Sequence, residues 1–166
     1  MAAVCAVLAG VAYFLFFSAM SRTGKEEYVF IDEDDNIDSV CAKLQPVSTP
    51  QGYWVFKRLA GIMGYAGNIR TGRFSVGSSG SLQTSRHIIN GLQAPVRITI
   101  KPVRTLEDLA TDVSGKMMFT RAELLSRLTS RETCRKYGFT PETIPAMFIP
   151  DTYDFYWNTS ADKFLD

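Results

Sequence analysis

Residues Ala2 to Met20 run without a single charged side chain, and every residue among them except Gly10 and Ser18 is apolar. At a helical rise of ~1.5 Å per residue such a run covers ~28 Å, close to the ~30 Å hydrocarbon core of a bilayer. The length predicts a transmembrane helix over residues 1–21 that tethers everything after it. Tyr13, Phe14, Phe16 and Phe17 crowd its C-terminal half, and Arg22 and Lys25 are the first charges beyond it, so the headgroup boundary is expected near Ser21. A cleaved signal peptide is the alternative. It fits less well, because its apolar region usually runs ~7–15 residues and Phe17-Ser18-Ala19 is a poor small-x-small cleavage site. No Lys or Arg precedes the run, so charge does not fix its orientation.

All 18 basic and 17 acidic residues lie after this run, and the net charge is +1. Without a basic excess, or a basic stretch interleaved with aromatics, nucleic acid is excluded as a partner. About 145 residues remain, room for one domain of ordinary size or two small ones. Cys41 and Cys134 are the only thiols outside the apolar run. They read either as a disulfide or as two buried free thiols.

Tyr28–Ile31 has the composition of a short strand, and Ile37, Val40, Cys41 and Leu44 follow at helical spacing behind a cap at Asp35 or Asn36. Thr49-Pro50 supplies the next cap and first-turn proline, with Tyr53, Phe56, Ala60 and Met63 on one face and Gly64 as the stop. Arg73–Val76 is a second strand, which makes a strand-helix-helix-strand unit. Ser81 is read as the cap of a helix broken near Gly91, and Val96, Ile98 and Ile100 alternate with Arg97, Thr99 and Lys101 as a half-buried strand. Thr105 opens a helix, Thr120-Arg121-Ala122-Glu123 is a capping box feeding another, and Ser160 begins a last one, cut at Asp166.

Asp32, Asp34, Asn36 and Asp38 have the alternate-position oxygens that begin a calcium loop. Ile37 stands where the tight turn wants glycine and Lys43 where a bidentate Glu is needed, so a solvated turn with a helix cap is the expectation. His87 is the only histidine, which leaves a zinc site or a Ser-His-Asp triad unsupported. Neither metal nor cofactor is expected. Gly72 reads as a strand-entry glycine, and Asn158-Thr159-Ser160 matches a glycosylation sequon that helix capping explains equally well. The stretch Ile149–Trp157 differs in kind. Exposed rings beside carboxylates suit a saccharide, whose apolar faces stack on aromatics while its hydroxyls bond to carboxylate oxygens; a packed core corner is the competing reading.

Pro150-Asp151-Thr152-Tyr153, followed closely by Asn158-Thr159-Ser160, resembles the Pro-Asp-Thr-Tyr motif of the endolytic murein transglycosylase (YceG-like) family. The order of elements upstream is similar to that family as well, with Arg70-Thr71-Gly72-Arg73-Phe74 in the place of its Gly-aromatic strand. The resemblance implies an α+β chain with an N-terminal transmembrane helix over 1–21, a small LysM-like subdomain over 22–101 and, over 102–166, the start of a mixed α/β catalytic domain. It further implies a single-pass protein of the bacterial inner membrane whose soluble part faces the periplasm. There it cuts nascent peptidoglycan glycan strands internally, limiting their length, with peptidoglycan synthases as candidate companions; a non-catalytic peptidoglycan-binding or scaffold homologue is the alternative.

The reaction so implied is non-hydrolytic. A glutamic acid protonates the glycosidic oxygen, then as a base takes the proton of the muramic acid C6 hydroxyl, which closes a 1,6-anhydro ring. The family's Glu-Gly pair, which the resemblance makes the catalytic position, aligns without gaps on Pro145-Ala146, and proline transfers no proton. Glu142 and Asp151 are the candidate catalytic carboxylates in its stead, and Tyr153, Tyr156 and Trp157 the candidate glycan-binding rings. The chain by itself is expected to show little turnover.

Overall fold

The computed structural model describes residues 1–77, 79–102 and 105–166. The described chain divides into two compact units, Met1–Ala94 and Pro95–Asp166, each with its own apolar core.

The apolar run is helical only over Ala2–Phe17 (α1). Ser18 turns extended at φ −64° and ψ 148°, and its carbonyl accepts hydrogen bonds from both the amide and the hydroxyl of Ser81. Ala19 pairs with Gly80 and Ser21 with Ser48 in isolated β-bridges, while Met20 is fully buried. Among the described residues no helix is long and apolar enough to cross a membrane, which overturns the transmembrane span expected over 1–21. The physical reason lies at residues 18–21, whose backbone groups are taken by partners in the folded unit. The sixteen helical residues that remain reach only ~24 Å, short of the ~30 Å needed.

In the first unit β1 (Glu27–Ile31) pairs antiparallel with β2 (Gly72–Val76), Val29 facing Phe74. Between them lie α2 (Ile37–Leu44) and α3 (Pro50–Ile62), and α4 (Ser81–Asn90) follows. Asn36 caps α2 in a capping box with Ser39, and Thr49 caps α3 through the Gly52 amide. Both helices start where the sequence places them because side-chain oxygens satisfy amides that the first turn leaves free. Val29, Ile31, Val40, Leu44, Phe56, Phe74 and Ile88 fill the core, with Tyr65 edge-on to Phe56 at 5.9 Å between ring centroids. Ser81 is not a cap: it is the first residue of α4, and its buried hydroxyl is spent on Ser18. Gly72 enters β2 at φ +153°, a conformation that favours glycine, and a Cβ there would lie 2.3 Å from the Gln93 side chain and displace it.

In the second unit β3 (Val96–Thr99) pairs antiparallel with β4 (Thr152–Phe155). Between them lie α5 (Leu106–Ser114), α6 (Arg121–Leu128), α7 (Arg131–Lys136) and a 3-10 turn, and α8 (Ala161–Leu165) follows β4. Thr105, Thr120, Ser130 and Ser160 cap these four helices through their side chains. Buried Leu109, Leu124, Leu128 and Ile144 make the aliphatic part of the core. Phe164 gathers the aromatic part, its ring centroid 4.8 Å from that of Phe155 and 5.8 Å from that of Phe119. The two units together make a mixed α/β chain.

Candidate functional site

The motif Pro150–Tyr153 leads into β4, and the alternation of a strand sorts its side chains. Tyr153 and Phe155 point toward the core and are half-buried, whereas Thr152 and Asp154 face solvent. The partner strand does the same, with Val96 and Ile98 buried and Arg97 and Thr99 exposed. In register, Arg97 Nε lies 3.4 Å from Asp154 Oδ1, and the hydroxyls of Thr99 and Thr152 are 3.0 Å apart. The outer face of this ladder is therefore a small polar platform. Asp151 stands exposed at its end, one carboxylate oxygen accepting the Thr152 N–H at 2.6 Å and its carbonyl accepting the Ile100 N–H.

The three rings expected to stack on sugar separate. Tyr156 is 56% exposed just past β4. Tyr153 and Trp157 pack in part against the core of the second unit; the Tyr153 hydroxyl donates to the Ile149 carbonyl, and the Trp157 carbonyl accepts the Met118 N–H. Tyr153 also lines a shallow apolar depression of about 120 Å³ with Phe148, Phe155 and Phe164.

Glu142 lies elsewhere, in a cleft of about 540 Å³ between α7 and the Gly138–Thr143 turn, alongside Arg131 and Arg135. The Thr140 side chain, its own backbone amide and the charge of Arg131 hold its carboxyl below the usual carboxylate range. At neutral pH such a group is ionised and has no proton to give, although it can accept one. Pro145 sits in a single 3-10 turn, Ile144–Met147, where its ring suits the first positions and its carbonyl accepts the Phe148 N–H. The structure thus puts Thr152 and Asp154 on the outer face of β4, with Asp151 just before the strand and Tyr156 just past it, and leaves Glu142 in a separate depression.

Sequence reasoning missed the contribution of Arg97 and Thr99, which joins the platform only through strand pairing. The one available signal was the matching alternation of 96–99 and 152–155. The calcium-like stretch resolves into an ion-pair cluster, in which the Lys43 ammonium lies 2.7 Å from Asp32 Oδ2 and also bonds Asp35, occupying the place of a cation. Among the described residues no group of three or more His, Cys, Asp or Glu is arranged to hold a metal ion. Ser160, the last residue of the sequon, accepts the Lys163 N–H as the cap of α8.

No curated protein matches the chain significantly. A crystal structure of a YceG-like protein from Listeria monocytogenes is similar at 16% sequence identity and a TM-score of 0.40, covering 86% of this chain and 52% of that one. The present chain thus spans about half the length of that protein. The model of the YceG-like family matches residues 29–166, from the first strand through the Pro-Asp-Thr-Tyr motif to the last helix, and the chain belongs to that family.

Proposed function

We propose that this protein acts on peptidoglycan glycan strands and that the whole protein cuts them internally without water, leaving 1,6-anhydro ends and limiting strand length. Membership of the YceG-like family carries this reading. The face formed by Arg97, Thr99, Thr152 and Asp154, with exposed Asp151 at the end of the ladder and exposed Tyr156 just past β4, supports it with hydrogen-bonding groups of both signs near one exposed ring, a composition that suits a polyhydroxylated chain. Cleavage breaks the bond between C1 of muramic acid and the glycosidic oxygen. The oxygen leaves with a proton from an acid, and the C6 hydroxyl closes on C1 as its own proton returns to that base. Asp151 is the motif carboxylate that borders the platform and is assigned to hold the sugar there. The work is placed on the cell-wall side of the bacterial inner membrane, in company with peptidoglycan synthases.

A second reading, that of a non-catalytic glycan-binding homologue, is favoured by one observation: Pro145 stands where the resemblance puts a proton-transferring Glu, and Glu142 is held ionised in another cleft. One experiment separates the two. Full-length protein is incubated with uncrosslinked glycan strands, and the products are examined by mass spectrometry for 1,6-anhydro ends, alongside Asp151→Asn and Tyr156→Ala. Anhydro ends that fall with both variants support cleavage at this face. Binding without any cleavage establishes the scaffold reading, and neither binding nor cleavage removes both.

A further inference from the structure

The cleft beside α7 carries charge that the fold does not use. Arg131 and Arg135 are one helical turn apart, both exposed, and both line it, together with Glu142, Phe139, Thr140 and Thr143. Among the described residues neither arginine joins a carboxylate in a close ion pair, whereas neighbouring cations do: Arg127 with Asp162 at 2.9 Å and Lys136 with Asp166 at 2.6 Å. The charge of Arg131 helps hold the Glu142 carboxyl low, and among the described residues the two form no close ion pair. Two arginines and one glutamate thus line one cavity of about 540 Å³ without a close ion pair among them. Where a stem peptide is attached, the lactyl carboxyl of muramic acid is tied up as an amide and the sugars carry no charge. All the charge of an uncrosslinked strand lies on its stem peptides, as carboxylates and the free amine of a diamino acid.

We propose that this cleft binds the stem peptide of the glycan strand, Arg131 and Arg135 taking a peptide carboxylate and Glu142 the free amine of the diamino acid. The inference rests on the substrate proposed above. Guanidinium pairs favour carboxylates and phosphates through paired, charge-assisted hydrogen bonds. Glu142 opposes any purely anionic ligand and favours one that also brings a cation. Its depressed carboxyl keeps that charge in place at neutral pH. Crosslinking converts the amine to an amide and removes the group that Glu142 would hold, so the cleft selects uncrosslinked strands.

The full chain is titrated calorimetrically with a disaccharide-peptide bearing a free diamino-acid amine, the same compound with that amine acetylated, peptide-free glycan whose lactyl carboxyls are capped as simple amides, and inorganic pyrophosphate. The free-amine compound is expected to bind at least ~10-fold more tightly than either of the other two sugar probes. Arg131→Gln with Arg135→Gln should remove that advantage, leave peptide-free glycan binding unchanged and, both residues being exposed, preserve the circular dichroism spectrum. Glu142→Gln should abolish only the discrimination between free and acetylated amine. Equal binding of peptide-bearing and peptide-free glycan overturns the cleft assignment while leaving the glycan reading intact. Pyrophosphate binding more tightly than the free-amine compound assigns the arginines to a phosphate and overturns it too. Failure of every sugar probe to bind overturns the assignment and the glycan reading together.

Discussion

Met20 and Gly52 provide the sharpest test of where the folded unit begins. Met20 is fully buried, and a Cβ built on Gly52, in the first turn of α3, would lie 2.9 Å from Met20 Cγ and 3.1 Å from the hydroxyl oxygens of Ser81 and Thr49. Met20→Ala deletes a buried side chain and should cost ~2–5 kcal/mol. Gly52→Ala gains ~0.5–1 kcal/mol of helix preference but, with three atoms crowding the new Cβ, forces contacts that cost ~2–3 kcal/mol, for a net loss of ~1–2.5 kcal/mol. With Met20 already Ala the nearest obstacle is gone and only the two hydroxyl oxygens crowd the Cβ, so the loss from Gly52→Ala should fall to well under ~1 kcal/mol. The coupling between the two sites is then ~1–2 kcal/mol, inside the range of residues in contact. Native-state hydrogen exchange at the α3 amides reports the stability of the first unit separately from the second. Additivity within ~0.5 kcal/mol, or a cost below ~1 kcal/mol for Met20→Ala alone, would show that Met20 does not pack on α3 and would undo the termination of α1 at Phe17.

Other tests are shorter. Burial raises the Asp35 carboxyl, but hydrogen bonds from Lys43, Ser39 and the Asp32 amide outweigh it and leave the group below its usual range. A carboxyl depressed by folding stabilises above its unfolded pKa of ~3.9 and loses that contribution as pH falls through the folded value. Asp35→Asn should therefore flatten the acid limb of first-unit stability below about pH 4; an unchanged limb would place its cause elsewhere. Cys134 is buried, its thiol raised by burial and donating to the Leu128 carbonyl at 3.2 Å. It should resist alkylation in the native protein and label only on unfolding, after the exposed Cys5 and the half-exposed Cys41. Phe164→Ala should cost the second unit ~3–5 kcal/mol and speed exchange of the β4 amides, because its ring holds Phe155. Loss of stability without faster exchange in β4 would show that Phe164 does not support the strand.

What was legible in the sequence was local chemistry. Asn36, Thr49, Thr105, Thr120 and Ser160 all cap the helices their positions imply, since a capping oxygen acts on amides two or three residues away. What depends on distant partners was not. Counting apolar residues cannot show that Ala19 and Ser21 pair with Gly80 and Ser48, so the helix looked long enough to span a bilayer. Helix α7 escaped because Cys134 is its only buried residue and its arginines resemble a solvated face. Strand β4 was concealed in a stretch dense in Pro, Thr and aromatics, and its role as a platform emerges only in register with β3. The carboxylate Glu142 was visible as a candidate, but its surroundings of Thr140, Arg131 and Arg135 required the turn after α7.

The source of the oxygen at the new chain ends tests the central claim most directly. Full-length protein is incubated with uncrosslinked glycan strands in heavy-oxygen water, and the products are resolved by mass spectrometry. Internal cleavage by ring closure gives fragments ending in 1,6-anhydromuramic acid, lighter by one water than hydrolysed ends and free of the label. Fragments with labelled reducing ends would mean that water was the nucleophile and would contradict the transglycosylase reading.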